Sequence, residues 1–340
     1  MRGRDIMWTL GIESTAHTLS FGLVDKDGIP FPSSTSTIKP EKGGIHPREA
    51  ADHHKECASR LLHAALESQS LMPADISAIA YSQGPGLGPC LRIGASIARG
   101  LASKFDVPLI GVNHCVAHIE IGRQQCGCED PVLLYVSGGN TQVIARLDGK
   151  YRVLGETLDI GIGNMLDKFA RAQGIPFPGG PVIEKLAAKW IEENPNPTME
   201  GLELPYAVRG MDLAFSGVLT AALRLVENGK PLEAVCWSLQ EHVFSACVEV
   251  AERALAHTGK TELLLGGGVA CNSRLRIMCE LMCEERDSKS YAPPRMYCID
   301  NGTMIARLGW LELGAGRITN YDTSAIDQYL RTDQTPIIWA

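Results

Sequence analysis

The sequence predicts an α/β protein built as two related halves, and three observations carry that expectation. The chain has 340 residues, more than one hydrophobic core usually holds, so two domains of roughly 150 residues each are expected. A strand–turn–strand pattern occurs twice: MWTLGIE and LSFGLVD flank STAHT at about residues 8–25, and VLLYVSGG runs into TQVIARLD at about residues 132–148. Each copy has small and hydroxyl residues at its turn and an aspartate closing its second strand, which suggests equivalent turns facing a common cleft. Between and beyond the hairpins, apolar runs of strand length alternate with segments of helical spacing, the arrangement of an α/β sheet with both faces largely covered.

Taken in order, Pro47 to Ser70 has helical apolar spacing with proline at its start. ISAIAYSQGPGLG is a buried strand ending in a glycine turn, Leu91 to Lys104 a helix of small residues, and VPLIGV a strand. Two histidines then open a helix over Asn113 to Gly122. In the second half, helices are expected at about 164–173, 181–193, 214–227 and 232–257, followed by a strand at TELLLGGG and a helix from Cys271. The segment NPNPTMEGLELP is a polar, proline-rich surface excursion.

A hydrophobic share of 45% and a charged share of 21% are those of an ordinary globular protein, and no apolar stretch is long enough to span a bilayer. No membrane role is expected. MRGRDIMWTLGIE reads as a first strand and not as a signal peptide, so a cytoplasmic location is expected. Eleven cysteines, many within helical or strand patterns, fit reduced buried thiols better than a disulfide framework. A net charge of −7 argues against nucleic-acid binding through a general basic surface. A local patch is conceivable from KPEKGGIHPR, Lys39 to Arg48, with Arg274 and Arg276; solvated charge is the plainer reading of each alone.

His114 and His118 in NHCVAH carry the sharpest chemical signal. Four residues apart on a helix, their imidazoles share one face at roughly 5 to 6 Å between Cβ atoms, within reach of one divalent ion. Taken alone, the pair fits a partly buried helix equally well. A zinc peptidase would need a glutamate beside the first histidine as general base, and that position is Cys115. Asp300 in YCIDNG follows apolar or small residues, and a buried carboxylate needs a partner, so Asp300 is the expected third ligand.

Glycines cluster at Gly84 to Gly88, Ser137 to Thr141, Gly161 to Gly163, Pro178 to Gly180 and Gly266 to Gly268. Turns of this kind at strand and helix ends expose N–H groups that cradle anions, so a phosphate-bearing ligand lying across several of them is favoured. The turns at Ser137–Gly139 and Gly266–Gly268 are expected to face each other from the two halves. Neither a Walker nor a Rossmann pattern is evident. Among carboxylates, Glu13 and Asp167 suit capping or ion-pair roles as well as functional ones.

Together GIESTAHT, GPGLG, NHCVAH, YVSGGNTQ, DIGIGNMLDK, FPGGP, LAFSG, LGGGVACN and IDNG closely resemble the universal tRNA threonylcarbamoyladenosine synthase family, which comprises the KEOPS catalytic subunit and bacterial TsaD/Gcp. The resemblance covers essentially the whole chain, in order, and the tyrosine before SGGNT and GGIHPREAADHH look like the archaeal and eukaryotic branch. It implies the duplicated actin-like, sugar-kinase and Hsp70-like ATPase fold with a nucleotide in the cleft between two domains. The first would span residues 1–130, completed by 301–340, and the second 131–300.

The resemblance also implies transfer of threonylcarbamoyl from its adenylate to N6 of adenosine 37 in tRNAs that read codons beginning with A. His114, His118 and Asp300 match the family's ligands for one iron or zinc ion, with Tyr135 as a phenolate ligand. Tyr135, Val136, Ser137, Gly138 and Gly139 form the donor loop, and Asp167, Gly180, Glu184, Gly267 and Asn272 match positions around the adenylate, with ATP and magnesium as further ligands. Glu184 is an aspartate in bacterial members, which leaves its contact less secure. No general base stands out beyond Glu13. Implied partners are tRNA, a small atypical kinase and a small dimerising subunit. A small-molecule kinase of the same superfamily and the peptidase of an old family name are the alternatives; such kinases carry an aspartate at the position of Glu13 and lack the histidine pair.

Overall fold

The computed structural model describes residues 7–38 and 45–339. Its elements, in order, are β1 (Trp8–Glu13), β2 (Thr18–Asp25), β3 (Ser34–Thr37), α1 (Pro47–Glu67), β4 (Ile76–Gly84), α2 (Gly88–Phe105), β5 (Leu109–Asn113), α3 (His114–Cys126), β6 (Val132–Val136), β7 (Thr141–Leu147) and β8 (Lys150–Glu156). There follow α4 (Ile162–Ala172), α5 (Gly180–Glu193), β9 (Val208–Arg209), β10 (Asp212–Leu213), α6 (Ser216–Glu227), α7 (Leu232–Thr258), β11 (Glu262–Gly266), α8 (Ser273–Glu284), β12 (Lys289–Tyr291), α9 (Arg295–Cys298) and α10 (Gly302–Gly314). The chain divides into two compact units. The first comprises Met1–Gln124, Asp148–Tyr151 and Ile299–Ala340, the second Gln125–Leu147 and Arg152–Cys298.

The first unit contains a five-stranded sheet ordered β3-β2-β1-β4-β5, and the second a five-stranded sheet ordered β12-β11-β6-β7-β8. Read from the hairpin outward, the two orders are the same. β1 pairs antiparallel with β2 and parallel with β4, as β6 pairs antiparallel with β7 and parallel with β11. The repeated hairpin in the sequence is therefore the start of each sheet. Besides the two-residue pair β9–β10, three strands escape the sequence pattern: STST at β3, KYRVLGE at β8 and KSY at β12 are short or polar and lie at sheet edges.

Two glycines set the layering of the first unit. Gly11 and Gly22 face each other in the β1–β2 ladder. A Cβ on Gly11 would collide with Ala306 N and Gly302 O, and one on Gly22 with Thr303 N. Bare backbone at this pair lets the first turn of α10 lie directly on the sheet, which brings Asp300, just before α10, close to Glu13 at the end of β1. The second unit encloses a larger apolar core around α7, β6 and β11, with Phe169, Phe215, Phe244 and Leu263 fully buried. Among the described residues no helix is long and apolar enough to cross a membrane.

Candidate metal centre and glycine turns

Chain direction positions the histidines. β5 ends at Asn113, whose side-chain oxygen accepts the N–H groups of Cys115 at 2.9 Å and Val116 at 3.2 Å. Asn113 is thus the N-cap of α3 and not its first residue, and the helix begins with His114. The two rings stand edge to face with centroids 4.8 Å apart. Asp300 Oδ1 lies 3.2 Å from His118 Nε2 and 3.5 Å from His114 Nε2. Ligand atoms of all three residues lie within 4.8 Å of one another.

Asp300 is more open than its apolar neighbours suggest, with 22% of its side chain exposed. Its neighbour Asn301 caps α10, accepting Met304 N at 2.9 Å, so Asp300 is spared that duty and points to the imidazoles. Behind His114, Glu13 Oε2 lies 2.9 Å from Nδ1. Glu13 is fully buried and also accepts the Thr15 N–H at 2.6 Å and the Thr15 hydroxyl. A carboxylate on Nδ1 fixes the ring and its tautomer, leaving Nε2 directed at Asp300. Glu13 is therefore an orienting partner of His114.

Electrostatics follow from this geometry. Burial opposes charge on His114, but Glu13 and Asp300 outweigh it and hold the imidazole up to about 9. Burial, with His114 nearby, lowers His118. Burial also works against the Asp300 carboxylate, yet His114 and His118 keep it well below the ordinary range. Two imidazoles and one carboxylate, convergent and with the outer nitrogen of one ring anchored, fit a divalent cation of borderline hardness. Cys115 is fully buried and its thiol is pushed up to about 12 by burial. It is neither a ligand nor a base, so the feature a zinc peptidase requires is absent at that position.

The glycine turns divide into two kinds. At GPGLG, Gly86 N donates to Gln328 O at 3.2 Å and Gly88 N to Gln328 Oε1 at 3.1 Å. A Cβ on Gly84 would strike Asp327 O, and one on Gly86 would come 2.6 Å from Thr15 O. This turn is filled by the chain itself, which corrects its reading as an anion cradle. Gly161 and Gly163 are bare because α4 begins against the Ser137–Gly139 loop: Gly163 N donates to Ser137 O at 3.1 Å and Asn164 N to Gly138 O at 2.9 Å. By contrast, a Cβ on Gly139, Gly180 or Gly268 would meet nothing within 4 Å.

Those open positions all belong to the second unit. The expectation that Ser137–Gly139 and Gly266–Gly268 oppose each other from different halves is wrong. They follow β6 and β11, adjacent parallel strands, and lie side by side, with Gly267 (φ +89°) pressed against Val136 O. This is the carboxyl end of a parallel strand pair, where α/β sheets bind ligands. Asp167 Oδ1 accepts Gly179 N at 2.7 Å and so shapes the PGG turn before α5. Glu184 Oε1 accepts Ser273 N at 2.8 Å. Asn272 caps α8 through Arg274 N at 2.9 Å and donates to Gln240 Oε1 at 2.7 Å. Tyr135, on β6, is 1% exposed, and Val136 is fully buried.

Two of the arginines that could have supplied a local basic patch are engaged within the second unit. Arg274 is engaged by Glu241 in a bidentate pair at 2.7 and 2.6 Å, and Arg276 donates to Ala270 O at 2.7 Å. Residues 39–44 of its other segment lie outside the described residues. Near the open turns, Cys271 is partly exposed, and its thiol is lowered to about 7 by a hydrogen bond with Cys298 against burial, with help from Arg276 and Arg295. Sequence reasoning missed Asn113 as a cap, although asparagine just before a helix is a start signal, and it missed Gln328, whose partner is 240 residues away.

Twin sheets of the same strand order, each begun by a hairpin and extended by a parallel strand, define the actin-like, sugar-kinase and Hsp70-like ATPase fold. Solved structures agree on that fold. HypF of Thermococcus kodakarensis superposes with a TM-score of 0.61 at 16% identity, covering 93% of this chain and 48% of that one. The (R)-2-hydroxyglutaryl-CoA dehydratase component A of Acidaminococcus fermentans gives 0.58 at 13% identity, covering 91% and 99%. The chain belongs to the TsaD family, tRNA N6-adenosine threonylcarbamoyltransferase, whose pattern matches residues 32–307.

Among relatives, a protein of Thermococcus kodakarensis named tRNA N6-adenosine threonylcarbamoyltransferase is 52% identical over 334 residues, 98% of this chain and 100% of that one. A probable bifunctional tRNA threonylcarbamoyladenosine biosynthesis protein of Thermoplasma volcanium is 51% identical over 333 residues, 98% of this chain but 62% of that one. The chain thus spans the whole of the first relative and about three fifths of the second.

Proposed function

We propose that this chain transfers the threonylcarbamoyl group from threonylcarbamoyl-AMP to N6 of adenosine 37 in tRNAs that read codons beginning with A. The observation that carries the reading is the anchored His114–His118–Asp300 cluster in a member of this family. His114, His118 and Asp300 would hold one iron or zinc ion, which when bound supplies fixed positive charge for orienting an anionic donor. Tyr135 is retained as a further ligand, to be tested by Tyr135→Phe.

The chain's own residues would bind the adenylate over Ser137, Gly138 and the open turns at Gly139, Gly180 and Gly268, where backbone can approach phosphate without side-chain interference. Asp167 and Asn272 shape those turns by holding the starts of α5 and α8, and Glu184 supports α8 beside them. An adenine N6 amine is a weak nucleophile because its lone pair is delocalised, so rate must come largely from positioning against a good leaving group.

With a net charge of −7, the isolated chain lacks the positive field that tRNA binding normally uses. A small atypical kinase and a small dimerising subunit of a KEOPS-type complex would extend the surface, in the cytoplasm. Relatives named bifunctional are longer than this chain, which supports a linked partner. The test is nucleoside mass spectrometry of tRNA incubated with protein and donor, with and without those subunits. Modified adenosine 37 that rises with the subunits and falls with salt is the expected outcome. No modification under any combination refutes the activity, and full activity of the chain alone refutes the partner requirement.

A further inference from the structure

Residues 318–336 run as an irregular strap along the first unit, with short 3-10 turns at Tyr321–Thr323 and Thr332–Gln334, and hydrogen-bond β4, α2 and β5. The strap first covers the edge of the sheet. β5 is the outermost strand, and Thr319 closes it by donating its N–H to Leu109 O at 2.8 Å and accepting Gly111 N through its hydroxyl at 2.8 Å. Next, Ser324 is locked in place. Its carbonyl accepts the Tyr81 hydroxyl at 2.9 Å, and its hydroxyl accepts Arg99 Nε at 2.8 Å. Gln83 Nε2 donates to Ala325 O at 2.8 Å, and Asp327 N to Gln83 O at 2.9 Å.

Then the strap crosses two helix starts in succession. Gln328 accepts Gly86 N with its carbonyl and Gly88 N, the first residue of α2, with its side chain. Three residues on, Arg331 O accepts Asn113 Nδ2 at 3.1 Å. Thr332, 3% exposed, lies beside the thiol of Cys115 between the two histidines.

Asn113 is the joint. Its oxygen caps α3 through Cys115 and Val116, while its amide nitrogen is held by the strap. One planar side chain therefore ties the rotation and depth of α3 to the position of residue 331. Since His114 and His118 occupy the first two turns of that helix, a shift at its cap moves both imidazoles relative to Asp300, which is carried by a different segment.

We propose that the 318–336 strap positions the metal-binding helix, with Asn113 and Gln328 as positioning residues for the His114–His118–Asp300 centre. The proposal rests on the reading of those three residues as ligands. It assigns no chemistry to the strap: its groups would touch neither ion nor substrate and act only by fixing where α3 begins.

The experiment uses the full chain stripped of metal and titrated with Co2+, reading affinity and the visible ligand-field spectrum, alongside hydrogen exchange of α3 amides in the metal-free state. Asn113→Ser keeps an acceptor for the helix cap but loses the donor to Arg331 O. Gln328→Ala releases the strap at α2, away from the ligands, while Gln328→Glu keeps an acceptor for Gly88 N. Asn113→Ser and Gln328→Ala should each weaken Co2+ binding about tenfold, alter its spectrum and speed α3 exchange. Gln328→Glu should restore all three.

Faster exchange with unchanged cobalt affinity and spectrum would reduce the strap to a helix brace and overturn the positioning role. Unchanged exchange in both variants would overturn the linkage itself. Should the unmodified chain take up no cobalt, the ligand reading fails, and the exchange data still decide whether the strap holds α3.

Discussion

The two units share a strand order but not a way of using it. In the first, the interior holds ionisable groups: among the described residues, the fully buried or nearly buried carboxylates Glu13, Glu120 and Glu312 all belong there, as do His54, His114 and His118. The second buries an almost entirely apolar core and leaves backbone bare at Gly139, Gly180 and Gly268. Glu13, at the end of β1, supplies a carboxylate that orients an imidazole, whereas the turn after β6 has open space beside Gly139. On the proposed reading, one copy of the duplicated scaffold would hold a cation and the other an anion. The glycines follow the same division, since GPGLG in the first unit is filled by Gln328.

The strongest test of that contrast is the double replacement His114→Ala with His118→Ala. It should abolish stoichiometric metal, measured by elemental analysis of the folded protein, while nucleotide binding by the second unit survives in calorimetry. Simultaneous loss of both would break the division of labour. Next in size is a pair of glycine variants in the second unit. Gly139→Val should fold and block adenylate binding, because the space beyond its Cα is open. Gly267→Val should instead destabilise the protein by about 2 kcal/mol or more, because Gly267 has φ +89° and abuts Val136 O. Equal melting temperatures for the two would contradict this.

A smaller effect is expected at Glu13. Glu13→Gln keeps the shape but removes the charge behind His114, and should weaken metal binding roughly 10- to 100-fold without touching the second unit. Unchanged affinity would show that the hydrogen bond to Nδ1 is incidental. The smallest effect concerns pH. Burial raises Glu312 to about 7, against the opposing pull of Arg317. The folded state therefore holds a proton that the unfolded chain releases near the ordinary value of 4.5, so the contribution to stability is complete below that value and is lost as pH rises to about 7. Relative to Glu312→Gln, the parent should lose about 1 kcal/mol per pH unit across this window in urea titrations. Parallel curves would place the ionisation elsewhere.

How much of this could be read from the sequence depends on the range of the interaction. The hairpins announced themselves because strand alternation and turn chemistry are local, and helices such as α1 needed only spacing and Pro47. The histidine pair was legible for the same reason. Asp300 was reachable because a carboxylate after an apolar run needs a partner. What stayed hidden is long-range: Glu13 meeting His114, or Gln328 filling a turn far up the chain. Glycine-rich turns look alike in sequence, since a glycine bare for a ligand and one bare for a neighbouring strand leave the same letter. Only the position of Asp327 or Thr15 tells them apart. The edge strands β3 and β12 were missed because they are made by pairing and not by composition.

Cys271 has a practical consequence beyond catalysis. Its thiol is drawn below the ordinary value by its hydrogen bond with Cys298, while burial raises others such as Cys115, Cys236 and Cys247. A partly exposed thiol shifted downward is expected to react with maleimides ahead of buried, protonated neighbours. The protein thus carries its own attachment point for a fluorophore, three residues from the open position at Gly268, where a dye would report on whatever occupies the turn without an engineered cysteine.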